Sequence, residues 1–161
     1  MDNGEPRWLN ASELEAWKAF SALLIKMPAA LDAQLRQDSG LTTFEYLVLA
    51  GLSEAPERTM RMSVLAALAN GSLSRLSHVV TRLEKRGHLR REPCPDDGRY
   101  TNAVLTEDGY RQVVEAAPGH LNNVRSLVVD VLEPEQIKQL GEISARLLHA
   151  MDPDFPCPGQ H

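Results

Sequence analysis

The chain has 161 residues, 43% hydrophobic and 24% charged, with a formal net charge of −5; this length can bury a real core, and this composition excludes disorder over the whole chain. Two cysteines, Cys94 and Cys157, exclude a disulfide framework, and no apolar run is long enough to span a bilayer. No basic-then-apolar segment opens the sequence, so a reducing cytoplasm is the expected location and no membrane partner is expected.

Residues 1–10 are polar, with Gly4 and Pro6, and read as a flexible arm. From Ala11 to Gln37 the apolar residues Leu14, Trp17, Phe20, Leu24, Met27, Leu31 and Leu35 recur every three or four positions, which predicts a long helix. Pro28 removes one backbone hydrogen bond and is expected to bend that helix near Leu24. Thr42 or Thr43 caps a second helix, Phe44 to Ala55, with Phe44, Leu47, Val48 and Leu52 facing inward. A third, Ser63 to Leu68, is expected to be capped by Ser63 and to bury Val64, Leu65 and Leu68.

Ala69-Asn70-Gly71 then leads tightly into the stretch Ser72 to Gly87. At about 100° per residue, Leu73, Leu76, Val79, Val80 and Leu83 share one side of a helix, and Ser74, Arg75, His78, Thr81, Arg82 and Lys85 share the other. Ser72 suits the N-cap and Gly87 the left-handed residue that ends the helix. Two helices joined by so short a turn form a helix-turn-helix, with the second presented outward. Charge is concentrated in the same region. Between Arg61 and Glu92 there are seven Arg or Lys against two Glu, a local +5, which leaves −10 on the rest of the chain. A basic segment on an acidic body is the electrostatic footprint of local phosphate contact. Arg75 and Arg82 have the planar fork that pairs with guanine O6 and N7. Ser72, Ser74, Ser77 and Thr81 can serve phosphates or bases, and His78 is expected near them.

His88 to Glu92 and Asn102 to Thr106 read as two strands around the turn Pro93 to Tyr100, a hairpin wing with Arg99 at its exposed tip. Of Arg90 and Arg91, which alternate across the strand, Arg91 is favoured to face DNA. Thr106 caps a helix running to about Val131, with a bend expected at Pro118-Gly119; Pro134 opens a last helix to Met151, and the proline-rich residues 152–161 read as a disordered tail. The expected fold class is mainly α with a small β-hairpin wing. The winged helix-turn-helix occupies 41–106, and the long helices in 11–37 and 107–151 bury their apolar stripes against one another and a second copy of the chain.

Three stretches are more specific still: Met62-Ser63-Val64-Leu65-Ala66, Leu83-Glu84-Lys85-Arg86-Gly87, and Asp96-Asp97-Gly98-Arg99 continuing to Leu105-Thr106-Glu107-Asp108-Gly109. In this order and spacing the sequence, over roughly 11–151, resembles the MarR/SlyA family of bacterial winged-helix regulators. The resemblance implies a homodimer on a pseudo-palindromic site in double-stranded DNA, often a repressor released by a small aromatic or lipophilic effector. It places 72–82 in the major groove and matches Asp97 and Arg99 to the family's wing motif; Arg61, Ser63, Arg91 and Tyr100 are further candidate contacts from the third helix and the wing. The chain departs from the family pattern at Gly98, where a second basic residue is common, and at Cys94, where an acidic one is. Relatives bind effectors between the first helix and the reader module, so Trp17 and Phe20 are candidate pocket residues as well as core or interface residues. Two alternatives share the fold: a thiol-based oxidation sensor using Cys157 or Cys94, the latter read as a surface thiol on an exposed turn, and a protein-interaction module without DNA binding. Cys157 and His161 alone do not make a metal site. No catalytic arrangement of Ser/His/Asp, Cys/His or paired carboxylates stands out, so neither enzyme activity nor a cofactor or metal is expected.

Overall fold

The computed structural model describes residues 6–95 and 97–153, and the chain divides after His120 into two compact units. In the first unit α1 (Ala11–Ser39) begins with a capping box, in which Asn10 and Glu13 each accept the other's backbone N–H at 2.9 Å. It runs unbroken through Pro28 and stops at Gly40, whose φ of +66° is the left-handed conformation that an ending helix needs. Thr42 and Glu45 form a second capping box at the start of α2 (Thr43–Glu54). The buried face of α2 is Phe44, Tyr46, Val48, Leu49 and Leu52, whereas Leu47, expected inside, is half exposed.

Between α2 and the next helix lies an element the sequence did not announce. A single turn, Pro56–Arg58, with Glu57 and Arg58 both at positive φ, delivers strand β1 (Thr59–Arg61). Helix α3 (Met62–Leu68) follows at once. It starts one residue earlier than expected, after Arg61 rather than with Ser63 as its cap; Met62, Leu65 and Ala66 are its buried residues, while Val64 and Leu68, expected inside, are half exposed. Helix α4 (Leu73–Lys85) packs on α3, and strands β2 (Leu89–Pro93) and β3 (Thr101–Leu105) form the expected hairpin. The sheet order is β1-β3-β2, antiparallel throughout, with Met60 opposite Ala103 and Arg91 opposite the same residue from the other side.

Leu35, Leu41, Leu49, Leu52, Leu65, Leu76 and Leu83 are completely buried and form the centre of the core. Val113 and Ala116 of α5 (Glu107–Val124) belong to the same cluster. Thr106 caps α5 as expected, accepting the N–H of Gly109 at 3.0 Å, and Pro118 lies inside the helix without ending it. In the second unit α5 gives way to a π-helical turn, Arg125–Val129, closed by an Arg125–Asp130 ion pair of 2.6 Å. Then α6 (Pro134–Met151) opens with Pro134 at its first position and exposes Leu140, Ile143 and Leu147. Among the described residues no helix is long and apolar enough to cross a membrane. The expected arm, 1–10, is described only from residue 6, and the expected tail only to residue 153.

Candidate nucleic-acid interface

Helix α4 is held at both ends by the residues expected to hold it. The Ser72 hydroxyl accepts the N–H of Arg75 at 3.1 Å, and Gly87, at φ +77°, lets the N–H groups of Gly87 and His88 return to the carbonyls of Glu84 and Leu83. Leu76, Val79, Val80 and Leu83 anchor its inner face. Leu73, expected among them, is half exposed because it sits in the first turn, ahead of the core. Ser72, Ser74, Arg75, Ser77, His78, Thr81, Arg82 and Lys85 are all exposed, so the helix presents a continuous polar face.

Two arginines are posed by aromatic rings. The Arg75 guanidinium lies over Phe44, 4.1 Å from the ring centroid, and that of Arg61 over Tyr100 at 5.1 Å. Stacking engages the face of the guanidinium and leaves its in-plane N–H donors available. Gly71 makes the Phe44 position possible, since a Cβ there would come within 2.6 Å of the Phe44 ring. Three further arginines of the basic region are tied to carboxylates, while Arg86 donates to the Gly40 carbonyl at 3.3 Å. Arg82 reaches Glu45 of α2 at 3.3 Å, Arg90 pairs with Glu92, and Arg91 pairs with Glu84 of α4. At the wing tip Asp97 accepts both the backbone N–H and the guanidinium of Arg99, and these bonds hold its carboxyl below the usual carboxylate range.

The polar face of α4 therefore borders two hollows. On one flank Arg61, Ser63, Ser77, Arg91, Arg99 and Tyr100 converge, with Leu73, around a hollow of about 300 Å³. On the other flank Arg75, His78 and Arg82 border a cleft of about 910 Å³ that α1 and α2 close with Pro28, Asp32, Arg36, Phe44 and Leu47. Trp17 and Phe20 lie half exposed on α1, their rings 6.4 Å apart, and line neither hollow. Cys94 corrects an expectation: it is 5% exposed, not a surface thiol. Its N–H donates to the Tyr100 carbonyl at 2.9 Å, which extends the hairpin ladder and keeps the residue inside the wing. An accessible thiol at this turn, the premise of the oxidation-sensor reading, is absent; Cys157 lies outside the described residues.

Glu45 was missed because a glutamate is rarely buried, yet it is 4% exposed. Burial pushes its carboxyl up, but hydrogen bonds from Thr42 and Arg82 outweigh that and leave the group below its ordinary 4.5. A depressed folded value contributes stability above about pH 4.5, lost as pH falls through the folded value. Glu45→Gln is therefore expected to destabilise by about 1 kcal/mol at pH 7, discounted for the half-exposed Arg82 partner, and by progressively less below pH 4. Urea midpoints of both proteins across pH 3–7 test this; parallel curves would remove it.

A model of the MarR family matches residues 39–99, which run from the end of α1 through the wing tip. The fold matches that of Sco3205, a MarR family transcriptional regulator from Streptomyces coelicolor solved in complex with DNA. The identity is 44% and the TM-score 0.90, over 96% of this chain and 98% of that one. It also matches AbsC, a MarR family regulator from the same organism, at 37% identity and TM-score 0.86, over 91% and 98% of the two chains. The transcriptional repressor MprA of Escherichia coli K12 is 26% identical over 113 residues, which are 70% of this chain but only 64% of MprA. With a winged helix-turn-helix at its centre and such relatives over nearly its whole length, the chain belongs to the MarR family of DNA-binding transcriptional regulators.

Proposed function

We propose that the chain is a homodimeric repressor that lays α4 in the major groove, sets the wing against the neighbouring backbone, and releases DNA when a small aromatic or lipophilic effector binds. The observation that carries the reading function is Arg75: a guanidinium braced on Phe44, with its donor edge available, on the outward face of the second helix of a helix-turn-helix. The dimer is supported by apolar side chains left exposed on α1, among them Leu14, Trp17 and Leu24, and separately on α6. Repression is supported by the likeness to MprA. The effector is supported by the 910 Å³ cleft, where apolar Phe44 and Leu47 sit beside Arg75. A ligand there lowers DNA affinity only as far as it prefers the non-reading arrangement of Arg75.

Selection of bound fragments from the source genome, repeated at two salt concentrations, tests the reading function. Affinity must fall steeply as salt rises, because phosphate contacts release counterions. No fragment bound better than random DNA would defeat it. On the selected site Arg75→Ala is expected to cost about 1–3 kcal/mol and to relax one base preference, with little change on a random duplex. Equal losses on both duplexes in competition binding would contradict base reading by Arg75.

A further inference from the structure

Arg91, placed by its sequence position on the DNA side of the wing, is occupied within the protein. Its backbone N–H donates to Glu84 Oε1 at 2.9 Å and its Nη1 to Glu84 Oε2 at 2.7 Å, while Nη2 donates to the Ser77 carbonyl at 2.8 Å and to Thr81 Oγ1 at 2.9 Å. Thr81 Oγ1 in turn donates to the Ser77 carbonyl. One strand residue thus grips three residues of α4, spread over two helical turns.

The placement of Glu84 makes sense only with this grip. The strand β2 is an edge of the sheet, so the Arg91 N–H has no strand partner beyond it, and Glu84 supplies the missing acceptor. A carboxylate in the last turn of a helix faces the negative end of the helix dipole, and here it also stands in the basic segment that reads DNA. Both placements are unfavourable for a free glutamate. Pairing with Arg91 offsets them: side chains that are each only 29% exposed meet in one charge-assisted bond from Nη1, and the other Glu84 oxygen takes the Arg91 backbone N–H, so both oxygens of the carboxylate are fixed by one residue.

We propose that Glu84 and Arg91 form a clamp that sets the angle between the wing and α4, so that both are positioning residues for DNA reading and Arg91 does not itself grip DNA. Thr81 belongs to the clamp. The inference rests on the DNA-reading function proposed above.

The electrostatic signs of the two roles are opposite, which makes the test decisive. If Arg91 gripped phosphate, Glu84→Gln would remove a negative charge near DNA and release Arg91, tightening binding; Arg91→Lys would keep the charge and most of the affinity. If Arg91 is a clamp, both changes weaken binding, because glutamine cannot supply the charge and lysine lacks the fork that reaches Glu84, Ser77 and Thr81 together. Wild type, Glu84→Gln, Arg91→Lys and the double variant, all as full chains, are titrated against a duplex carrying a site selected from genomic fragments and against a random duplex. Each single variant is expected to bind the selected site about tenfold more weakly, the double no more weakly than either. Protection from cleavage is expected to disappear under the wing and to persist under α4. Unchanged or tighter binding by Glu84→Gln, or wild-type binding by Arg91→Lys, overturns the clamp.

A readout without DNA separates this inference from the function it rests on. Amide exchange in free Glu84→Gln is expected to speed up in 89–93 and 101–105 while the amides of α2 stay protected. Unchanged exchange in the two strands overturns the clamp whether or not the protein selects DNA. A wild-type protein that selects no DNA overturns the reading function instead.

Discussion

Gly109→Ala is expected to destabilise the protein by about 3 kcal/mol or more, read as a lower urea midpoint with an unchanged slope. Helix propensity alone argues the reverse, since alanine in a helix is favoured over glycine by about 1 kcal/mol. Space decides otherwise. A Cβ on Gly109 would stand 1.9 Å from the His88 carbonyl oxygen, 2.8 Å from the His88 carbonyl carbon and 2.8 Å from Leu105 Cδ1. The first two are backbone and have little room to retreat. His88 O accepts the N–H of Thr106 at 3.1 Å, and the carbonyl of Gly87 next to it accepts the Thr106 hydroxyl at 2.6 Å. Helix α5 is thereby docked directly on the turn that ends α4, and moving it away breaks both bonds. Gly98→Ala is the control: nothing lies within 4 Å of a Cβ at that wing position, and its stability should match the wild type. A Gly109→Ala protein as stable as the wild type would mean that α5 does not pack on that turn.

That contact also shows where sequence reading stops. Ser72, Gly87 and Thr106 were legible because a cap or a left-handed residue is a local requirement, satisfied within three or four residues of itself. The inner face of α4 was legible because four anchors repeat at helical spacing. The strand β1 was not, since three residues, Thr59-Met60-Arg61, are too few to show alternation, and what makes them a strand is the partner β3 some forty residues later. The same holds for the arginines. Composition counts seven basic residues as a surface for phosphate, but pairing is a matter of three-dimensional neighbours. Glu45 takes Arg82 from 37 residues away, and Glu84 takes Arg91 across the turn at Gly87. Charge counting marked the same helix and wing for the proposed interface, and it overstated how many of their cations are without a carboxylate partner. Arg75 and Arg61 are braced on rings instead, which leaves their in-plane donors free of the stacking contact.

Leu83→Ala should separate holding the reading helix from reading with it. The side chain is completely buried, and deleting three carbons from such a site costs about 2–5 kcal/mol, depending on how far the neighbours collapse into the space. The loss falls on α4 in particular. At 13 residues this helix is near the length at which an isolated helix is marginal in water, so packing rather than propensity keeps it formed. Leu83 lies beside the Glu84 clamp, and its carbonyl accepts the His88 N–H that closes the helix at Gly87. The expected result is a fall in the melting temperature, with binding to selected and random duplexes weakened together. Saturating duplex should restore part of the lost melting temperature, because DNA binds the folded form. Arg75→Ala should do the opposite, keeping the melting temperature and losing mainly the selected site. A Leu83→Ala variant that kept its stability but lost one base preference would place Leu83 on the outer face of α4, and the assignment of its inner and outer sides would have to be exchanged.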